Sequence, residues 1–200
     1  DITWNLDGDS PYKEYCGIEL RGRTLGLIGL GSVAASIVPL AHAFGLQVIA
    51  YSFGHDQERA AELGVRLTGL DELLSRSDFI SVHCKVSPES RCLLDRRAFE
   101  RMKPGAYLIN TARAAVIDQQ ALLEALTSGR IAGAALDVFW YEPLPANHPL
   151  LALDNVILTP HLGGAAVEVP ERHSRMIVDD VFAWLDGKRP RNVFNPSVFE

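Results

Sequence analysis

The chain has 200 residues, of which 48% are hydrophobic and 22% charged, and its formal net charge is −6. This composition is ordinary for a soluble globular protein, and a chain of this length can bury a substantial core. No run of Lys and Arg occurs, so the charge pattern does not indicate binding to nucleic acid.

The three cysteines, Cys16, Cys84 and Cys92, are odd in number and form no Cys-x-x-Cys pair. We therefore expect neither a disulfide framework nor a metal site, and the simplest location is the cytoplasm. Residues 1–5 contain no basic region followed by an apolar one, which argues against a signal peptide. The first residue is not Met, as expected for an excised or processed fragment.

Short apolar runs alternate with helical patterns along the chain. Strands are predicted at 24–28, 47–51, 79–83, 106–110, 131–136 and 156–159, and helices at 32–44, 56–63, 71–75, 95–101, 118–128 and 169–185. This alternation predicts an α/β fold, a Rossmann-type doubly wound parallel sheet with helices on both faces. Segment 138–155 breaks the rhythm and is predicted to be an ordered loop.

Residues 24–55 contain no Asp, Glu, Lys or Arg, and an uncharged stretch of this length could also span a membrane. Glycines and Pro39 divide the stretch into strand, turn, helix and strand, so we interpret it as one buried βαβ unit. No association with a membrane is expected.

The motif Gly29-Leu30-Gly31-Ser32-Val33-Ala34 matches G-x-G-x-x-G/A and stands between a predicted strand and a predicted helix. Gly29 permits the tight turn, and Gly31 lets a pyrophosphate approach the backbone. The N–H groups of Ser32 and Val33 at the helix start can then bind the phosphates. The motif predicts a dinucleotide site.

The acidic residue that usually follows the second strand and binds the ribose hydroxyls is replaced by Ser52. Ser52 does not repel a 2′-phosphate, yet no Arg follows it directly, and His55 and Arg59 are the nearest candidates for binding that phosphate. NAD is slightly favoured as the cofactor, with NADP as the alternative.

Polar side chains follow three successive predicted strands at their carboxyl ends, where ligands bind in open α/β sheets. The motifs are Asn110-Thr111-Ala112-Arg113, Asp137-Val138-Phe139-Trp140-Tyr141-Glu142-Pro143 and Thr159-Pro160-His161-Leu162-Gly163-Gly164. A guanidinium binds a carboxylate through a fork of hydrogen bonds, and an imidazole exchanges protons near neutral pH. A nearby carboxylate fixes the imidazole tautomer and favours its protonated form. We therefore predict a catalytic set of Arg113, Glu142 and His161.

With these motifs in this order, residues 20–195 resemble the cofactor domain of the D-2-hydroxyacid dehydrogenase family. The resemblance implies that Arg113 binds the substrate carboxylate and keto oxygen, that His161 is the acid–base, and that Glu142 is its partner. Asp137 would contact the nicotinamide carboxamide. Further cofactor contacts are implied for Thr111, Ala112 and the segment from His161 through Gly163 and Gly164, with Cys84 and Lys85 near the adenosine.

The resemblance also implies an NAD(P)-dependent oxidoreductase that acts on a small 2-hydroxy or 2-oxo acid, and a homodimer formed through the cofactor domain. We expect residues 1–20 to be the remnant of an inter-domain connection, 21–168 to be the dinucleotide-binding domain, and 169–200 to return toward a substrate domain. Such a chain alone should turn over poorly. The alternative function is a dinucleotide-binding redox sensor, similar to a co-repressor, without turnover.

Overall fold

The computed structural model describes residues 16–54 and 57–199, and within them one sheet has seven parallel strands. The strands are β1 Thr24–Ile28, β2 Gln47–Tyr51, β3 Arg66–Leu67, β4 Phe79–Val82, β5 Tyr107–Asn110, β6 Gly133–Leu136 and β7 Val156–Leu158. Their order in the sheet is β3-β2-β1-β4-β5-β6-β7. The helices are α1 Ser32–Ala43, α2 Gln57–Glu62, α3 Leu70–Arg76, α4 Arg96–Arg101, α5 Gln119–Thr127 and α6 Val169–Leu185. The predicted parallel α/β sheet is confirmed.

The main differences from the sequence prediction are local. Strand β3 was not predicted, because two residues are too few to show a periodic pattern. The strand predicted at 131–136 begins at Gly133. Segment 138–155, predicted as a loop, contains a 3₁₀ helix at Pro149–Ala152. Asp56, the predicted start of the second helix, lies outside the described residues.

Two separate clusters of buried apolar side chains show that helices cover both faces of the sheet. In β2, Val48 and Ala50 belong to one cluster, with residues of α1 and α2, whereas Ile49 belongs to the other, with residues of α3 to α5. Successive side chains of a strand point to opposite faces, so this alternation assigns the two clusters to opposite sides.

The chain divides into two compact units, Asp1–Pro160 and His161–Glu200. The first contains the whole sheet and helices α1 to α5. The second contains α6 and a 3₁₀ helix at Pro196–Phe199. Within it, Asp180 on α6 accepts hydrogen bonds from the backbone N–H of Arg191 and from the side chain of Asn192, at 2.7 and 2.9 Å.

The expected domain boundaries stay predictions, and residues 1–15 lie outside the described part of the chain. Among the residues that the structure describes, no helix is both long and apolar enough to cross a membrane.

Asp78 joins the amino ends of three strands of the sheet. It directly precedes β4, and its carboxylate accepts hydrogen bonds from Thr24 N–H in β1 at 2.9 Å, from Arg23 at 3.2 Å and from Lys103 at 2.6 Å. Its backbone oxygen accepts from Tyr107 N–H of β5. Burial raises the pKa of Asp78, but the hydrogen bonds from Lys103, Thr24 and Arg23 outweigh burial and lower the pKa below its usual value.

We expect Asp78→Asn to lower the free energy of unfolding at pH 7 by about 2 kcal/mol, because hydrogen bonds to an ionised group are lost. The lowered pKa means that ionised Asp78 stabilises the fold above pH ~4, and that this contribution disappears as the pH falls through the lowered pKa. The difference between variant and parent should therefore shrink in acid, which urea denaturation at several pH values measures.

The control is Asp71→Asn, which removes an exposed ion pair with Arg101. Exposed pairs contribute little, so this variant should stay within about 0.5 kcal/mol of the parent. Equal stability of Asp78→Asn and the parent at pH 7 would contradict the role given to Asp78.

Candidate functional site

The order of the strands reverses beside β1, whose neighbours β2 and β4 lie on either side of it. The turns after β1 and β4 therefore leave the same sheet edge next to each other. Gly29 N–H donates to Tyr51 O at 2.7 Å, and His83 N–H donates to Ile28 O at 2.8 Å. In doubly wound sheets this reversal point opens the crevice in which ligands bind.

The two glycines of the turn differ in whether a residue with a side chain would fit in their place. Gly29 has φ +96°, and a Cβ there would lie 3.0 Å from the backbone of His83 and Cys84, so only glycine fits without strain. Gly31 has φ −76°, which any residue adopts, and a Cβ would meet no atom within 4 Å. The space beside Gly31 is left open by the protein itself.

Helix α1 begins at this open space. Its N-cap is Gly31, and no side chain caps the helix. The first N–H groups, at Ser32 and Val33, therefore have no side-chain acceptor from a cap residue, and the positive end of the helix dipole points out of the sheet edge. This arrangement suits a phosphate group.

An open cavity of about 280 Å³ continues from the start of α1 toward β5. Its lining residues are Val33, His83, Cys84, Lys85, Thr111, Ala112 and Arg113. The structure thus brings together six residues predicted from sequence and one that was missed, His83. Lys85 was predicted near the adenosine, and here it shares a cavity with Arg113.

The Arg113 loop is held by the fully buried side chain of Asn110. Its Oδ1 accepts the N–H groups of Ala112 and Arg113 at 3.0 and 3.2 Å, and its Nδ2 donates to Arg113 O at 3.0 Å. The Arg113 guanidinium is exposed and donates to Ala112 O at 2.6 Å. Asn110 stands in the predicted motif without a predicted role, although Asn after a strand is a signal for such a turn.

His83 was missed because it was counted only as the end of a strand. Its Nε2 lies 2.8 Å from Ser81 Oγ, and burial lowers its pKa, so the ring is neutral at neutral pH. Burial likewise raises the pKa of the Cys84 thiol, which therefore stays protonated. Neither side chain adds charge to the cavity.

The second predicted motif lies after β6. Asp137 is buried, and its Oδ1 accepts the hydroxyl of Thr159, which follows β7, at 2.5 Å. Glu142 Oε1 accepts Phe139 N–H at 3.0 Å. Both acidic side chains therefore belong to the first unit and follow the strand next to β5.

His161, Gly163 and Gly164 belong to the second unit. His161 has φ +56°, in the left-handed region that residues other than glycine seldom adopt. Ala165 N–H donates to Leu162 O at 2.9 Å, so a tight turn follows His161.

Ser52 directly follows β2, as predicted, and its Oγ accepts Gly54 N–H at 3.4 Å. Arg59, on α2, donates from Nη1 to Leu30 O in the glycine turn at 3.2 Å. Arg59 is therefore next to the glycine turn, whereas His55, the other candidate for a 2′-phosphate, lies outside the described residues.

The strand order, the glycine turn and the uncapped α1 define a dinucleotide-binding domain of the Rossmann type. Comparison with known families agrees: residues 3–163 match the model of the "D-isomer specific 2-hydroxyacid dehydrogenase, NAD binding domain". The chain belongs to the D-isomer specific 2-hydroxyacid dehydrogenase family and corresponds to its NAD-binding domain.

Curated relatives include a glyoxylate reductase of Aeropyrum pernix, 41% identical over 91% of this chain and 54% of its own length. A D-3-phosphoglycerate dehydrogenase of Archaeoglobus fulgidus is 39% identical over 97% of this chain and 38% of its own. Among solved structures, the apo form of Rhodotorula graminis D-mandelate dehydrogenase has a TM-score of 0.82 and 35% identity, covering 88% of this chain and 52% of that one. The chain thus spans about half the length of many of its relatives.

A methyl group added at Gly31 should mainly affect cofactor binding, whereas a methyl group added at Gly29 should mainly affect stability. We expect Gly31→Ala to change the free energy of unfolding by less than about 1 kcal/mol, because the loss of an N-cap glycine is offset by the lower entropy of the unfolded chain. The same change should weaken NADH binding on the order of tenfold or more, because the methyl occupies the space open to the phosphates. Gly29→Ala should lower the free energy of unfolding by at least about 1 kcal/mol, because of its φ and its backbone contacts. Thermal denaturation and NADH fluorescence titration measure the two effects. Unchanged NADH affinity of a folded Gly31→Ala would contradict the phosphate site.

Proposed function

We propose that this chain is the cofactor half of an NAD(P)-dependent oxidoreductase that transfers hydride between the cofactor and a D-2-hydroxy or 2-oxo acid. The observation that carries the proposal is the cavity that joins the start of α1, through Val33, to Arg113. One end of this cavity suits a dinucleotide phosphate, and the other presents the side chain best suited to a carboxylate.

In this proposal the glycine turn and the N–H groups of Ser32 and Val33 hold the pyrophosphate. Ser52 lies beside the adenosine ribose. Further contacts to the cofactor come from Cys84, Lys85, Thr111, Ala112, Arg113, Asp137, His161, Gly163 and Gly164. When bound, the nicotinamide supplies or accepts the hydride, and the protein aligns the substrate with it.

The catalytic roles follow from what each side chain can do. Arg113 holds the substrate carboxylate through a charge-assisted fork of hydrogen bonds. His161 takes the hydroxyl proton during oxidation and returns it during reduction. Glu142 fixes the imidazole tautomer and stabilises its protonated form. The homodimer and the cytoplasmic location stay predictions.

The direct test is turnover by the full-length protein with NADH and a panel of 2-oxo acids, including glyoxylate, pyruvate and phenylglyoxylate. Reduction of at least one of them supports the proposal. Tight NADH binding without reduction of any 2-oxo acid would overturn it in favour of the redox sensor.

Glu142→Gln in the full-length protein keeps an acceptor for Phe139 N–H but removes the charge. We expect kcat for 2-oxo acid reduction to fall on the order of 100-fold, in the range of general acid–base catalysis, while the Kd for NADH changes less than twofold. Steady-state kinetics and NADH titration measure the two quantities. Glu100→Gln, an exposed carboxylate on α4, is the control and should be unchanged.

We infer that Arg59 binds the 2′-phosphate of NADPH. We expect Arg59→Ala to weaken NADPH binding about tenfold or more, because a guanidinium–phosphate pair is lost, and to change NADH binding little. Parallel fluorescence titrations with the two cofactors test this. Arg66→Ala, on β3 and paired with Glu72, is the matched control. A parent chain that does not bind NADPH, or equal losses for both cofactors, would contradict this role for Arg59.

A further inference from the structure

The segment that carries Glu142 runs from β6 to β7 and needs an attachment to the sheet if Glu142 is to act at a fixed place. The hydrogen bond from Phe139 N–H to Glu142 Oε1 spans three residues within the segment. It fixes the carboxylate relative to its own loop, but it does not fix the loop relative to Arg113.

Trp140 supplies such an attachment. Its ring packs against the larger core cluster, and its Nε1–H donates to Ile117 O at 3.1 Å. An indole N–H that is turned into a core requires an acceptor, and this one finds a backbone carbonyl 23 residues away in sequence. The neighbouring Tyr141, by contrast, is 69% exposed.

The acceptor belongs to a rigid part of the Arg113 loop. Ile117 is buried and directly follows the 3₁₀ helix Ala114–Val116, which itself follows Arg113. Leu94 runs alongside: its N–H donates to Val116 O, and its O accepts from Asp118 N–H, both at 3.0 Å. Ile117 O is therefore a fixed point close in sequence to Arg113.

We propose that Trp140 is a positioning residue, which sets Glu142 relative to Arg113 through the indole hydrogen bond to Ile117. The inference rests on the proposed function, because that function gives Glu142 and Arg113 their roles. Trp140 is two residues from Glu142, and Ile117 is four residues from Arg113, so this one bond joins the two loops close to both side chains.

A second attachment holds the far end of the same segment and provides a matched control. Gln119 Nε2 lies 2.7 Å from His148 Nε2, and His148 Nδ1 accepts Leu150 N–H at 3.2 Å. Because Nδ1 accepts, the neutral ring carries its proton on Nε2, and the Gln119 amide satisfies it when its oxygen is turned toward the ring. This attachment is six residues from Glu142, so its loss loosens the segment without breaking the bond from Trp140 to Ile117.

The test compares Trp140→Phe, Gln119→Leu and Tyr141→Phe in the full-length protein. For Trp140→Phe we expect kcat for 2-oxo acid reduction to fall on the order of 10- to 100-fold, as small misplacements of catalytic groups do, with KM for NADH within twofold. Amide exchange at Phe139, whose N–H donates to Glu142, should become faster. Gln119→Leu should lower the melting temperature but keep kcat within twofold, and Tyr141→Phe should change neither.

A second variant covers the case in which Trp140→Phe does not fold. Replacement of Trp140 by benzothienylalanine keeps the shape of the indole and removes only the N–H donor. The same loss of kcat is expected. Parent-like kcat in a folded variant that lacks the donor overturns the proposal, and so does an equal loss of kcat in Gln119→Leu.

Failure of the proposed function gives a different result. In that case the parent protein itself reduces no 2-oxo acid, which overturns the catalytic role proposed for Glu142. Amide exchange at Phe139 still tests whether Trp140 holds the Glu142 loop. Unchanged exchange in both donor-free variants overturns this attachment, and faster exchange supports it.

Discussion

The close approach of Gly29 to the peptide between His83 and Cys84 is the constraint on which the cofactor end of this domain depends. With only 3.0 Å between a would-be Cβ and that backbone, the turn after β1 and the turn after β4 lie side by side. The bonds Gly29 N–H to Tyr51 O and His83 N–H to Ile28 O hold β1 between its two neighbours at this point. Because the turn is closed so tightly, α1 starts with its N–H groups at the sheet edge, beside the cavity that Arg113 also lines.

The parts of this arrangement that sequence analysis predicted are those governed by local rules. Strands 24–28 and 47–51 agree with the structure to the residue, and the helix predicted at 118–128 is present as α5, where Asp118 is the N-cap and accepts Ala121 N–H at 2.8 Å. Apolar periodicity and capping depend on near neighbours, so one sequence suffices to predict them. The glycine motif could be predicted for the same reason, since its strand–turn–helix context is continuous in sequence.

The parts that sequence analysis missed depend on partners far away in the chain. Nothing near Trp140 in sequence indicates that its N–H finds Ile117 O, and nothing near His83 indicates that it lines a cavity with Arg113. Strand β3 exists because it pairs with β2, not because its two residues have a pattern of their own. The roles of Arg113, Glu142 and His161 stay predictions, because they depend on a substrate that the sequence and fold do not identify.

The Arg113 loop shows how a short motif can combine a turn and a charge. Asn110 uses its side chain to bind the N–H groups of Ala112 and Arg113, so these backbone donors are occupied and the loop cannot turn them toward a ligand. The Arg113 guanidinium donates one of its five N–H groups to Ala112 O. This hydrogen bond fixes the direction of the Arg113 side chain at the cavity. Of these groups, the charge of Arg113, rather than the N–H groups of Ala112 and Arg113, is what the loop presents at the cavity.

The positive charge at the cavity is opposite in sign to the net charge of the chain. The net charge is −6, yet the cavity lining contains Lys85 and Arg113 and no acidic residue. His83 is kept neutral and the Cys84 thiol protonated by burial, so the two cations alone set the sign of the charge that the lining residues carry. A concave site focuses such a field, and salt screens it over about 10 Å at 0.1 M ionic strength. The charge of the lining residues therefore favours anionic ligands at this edge of the sheet, although the net charge of the chain is negative.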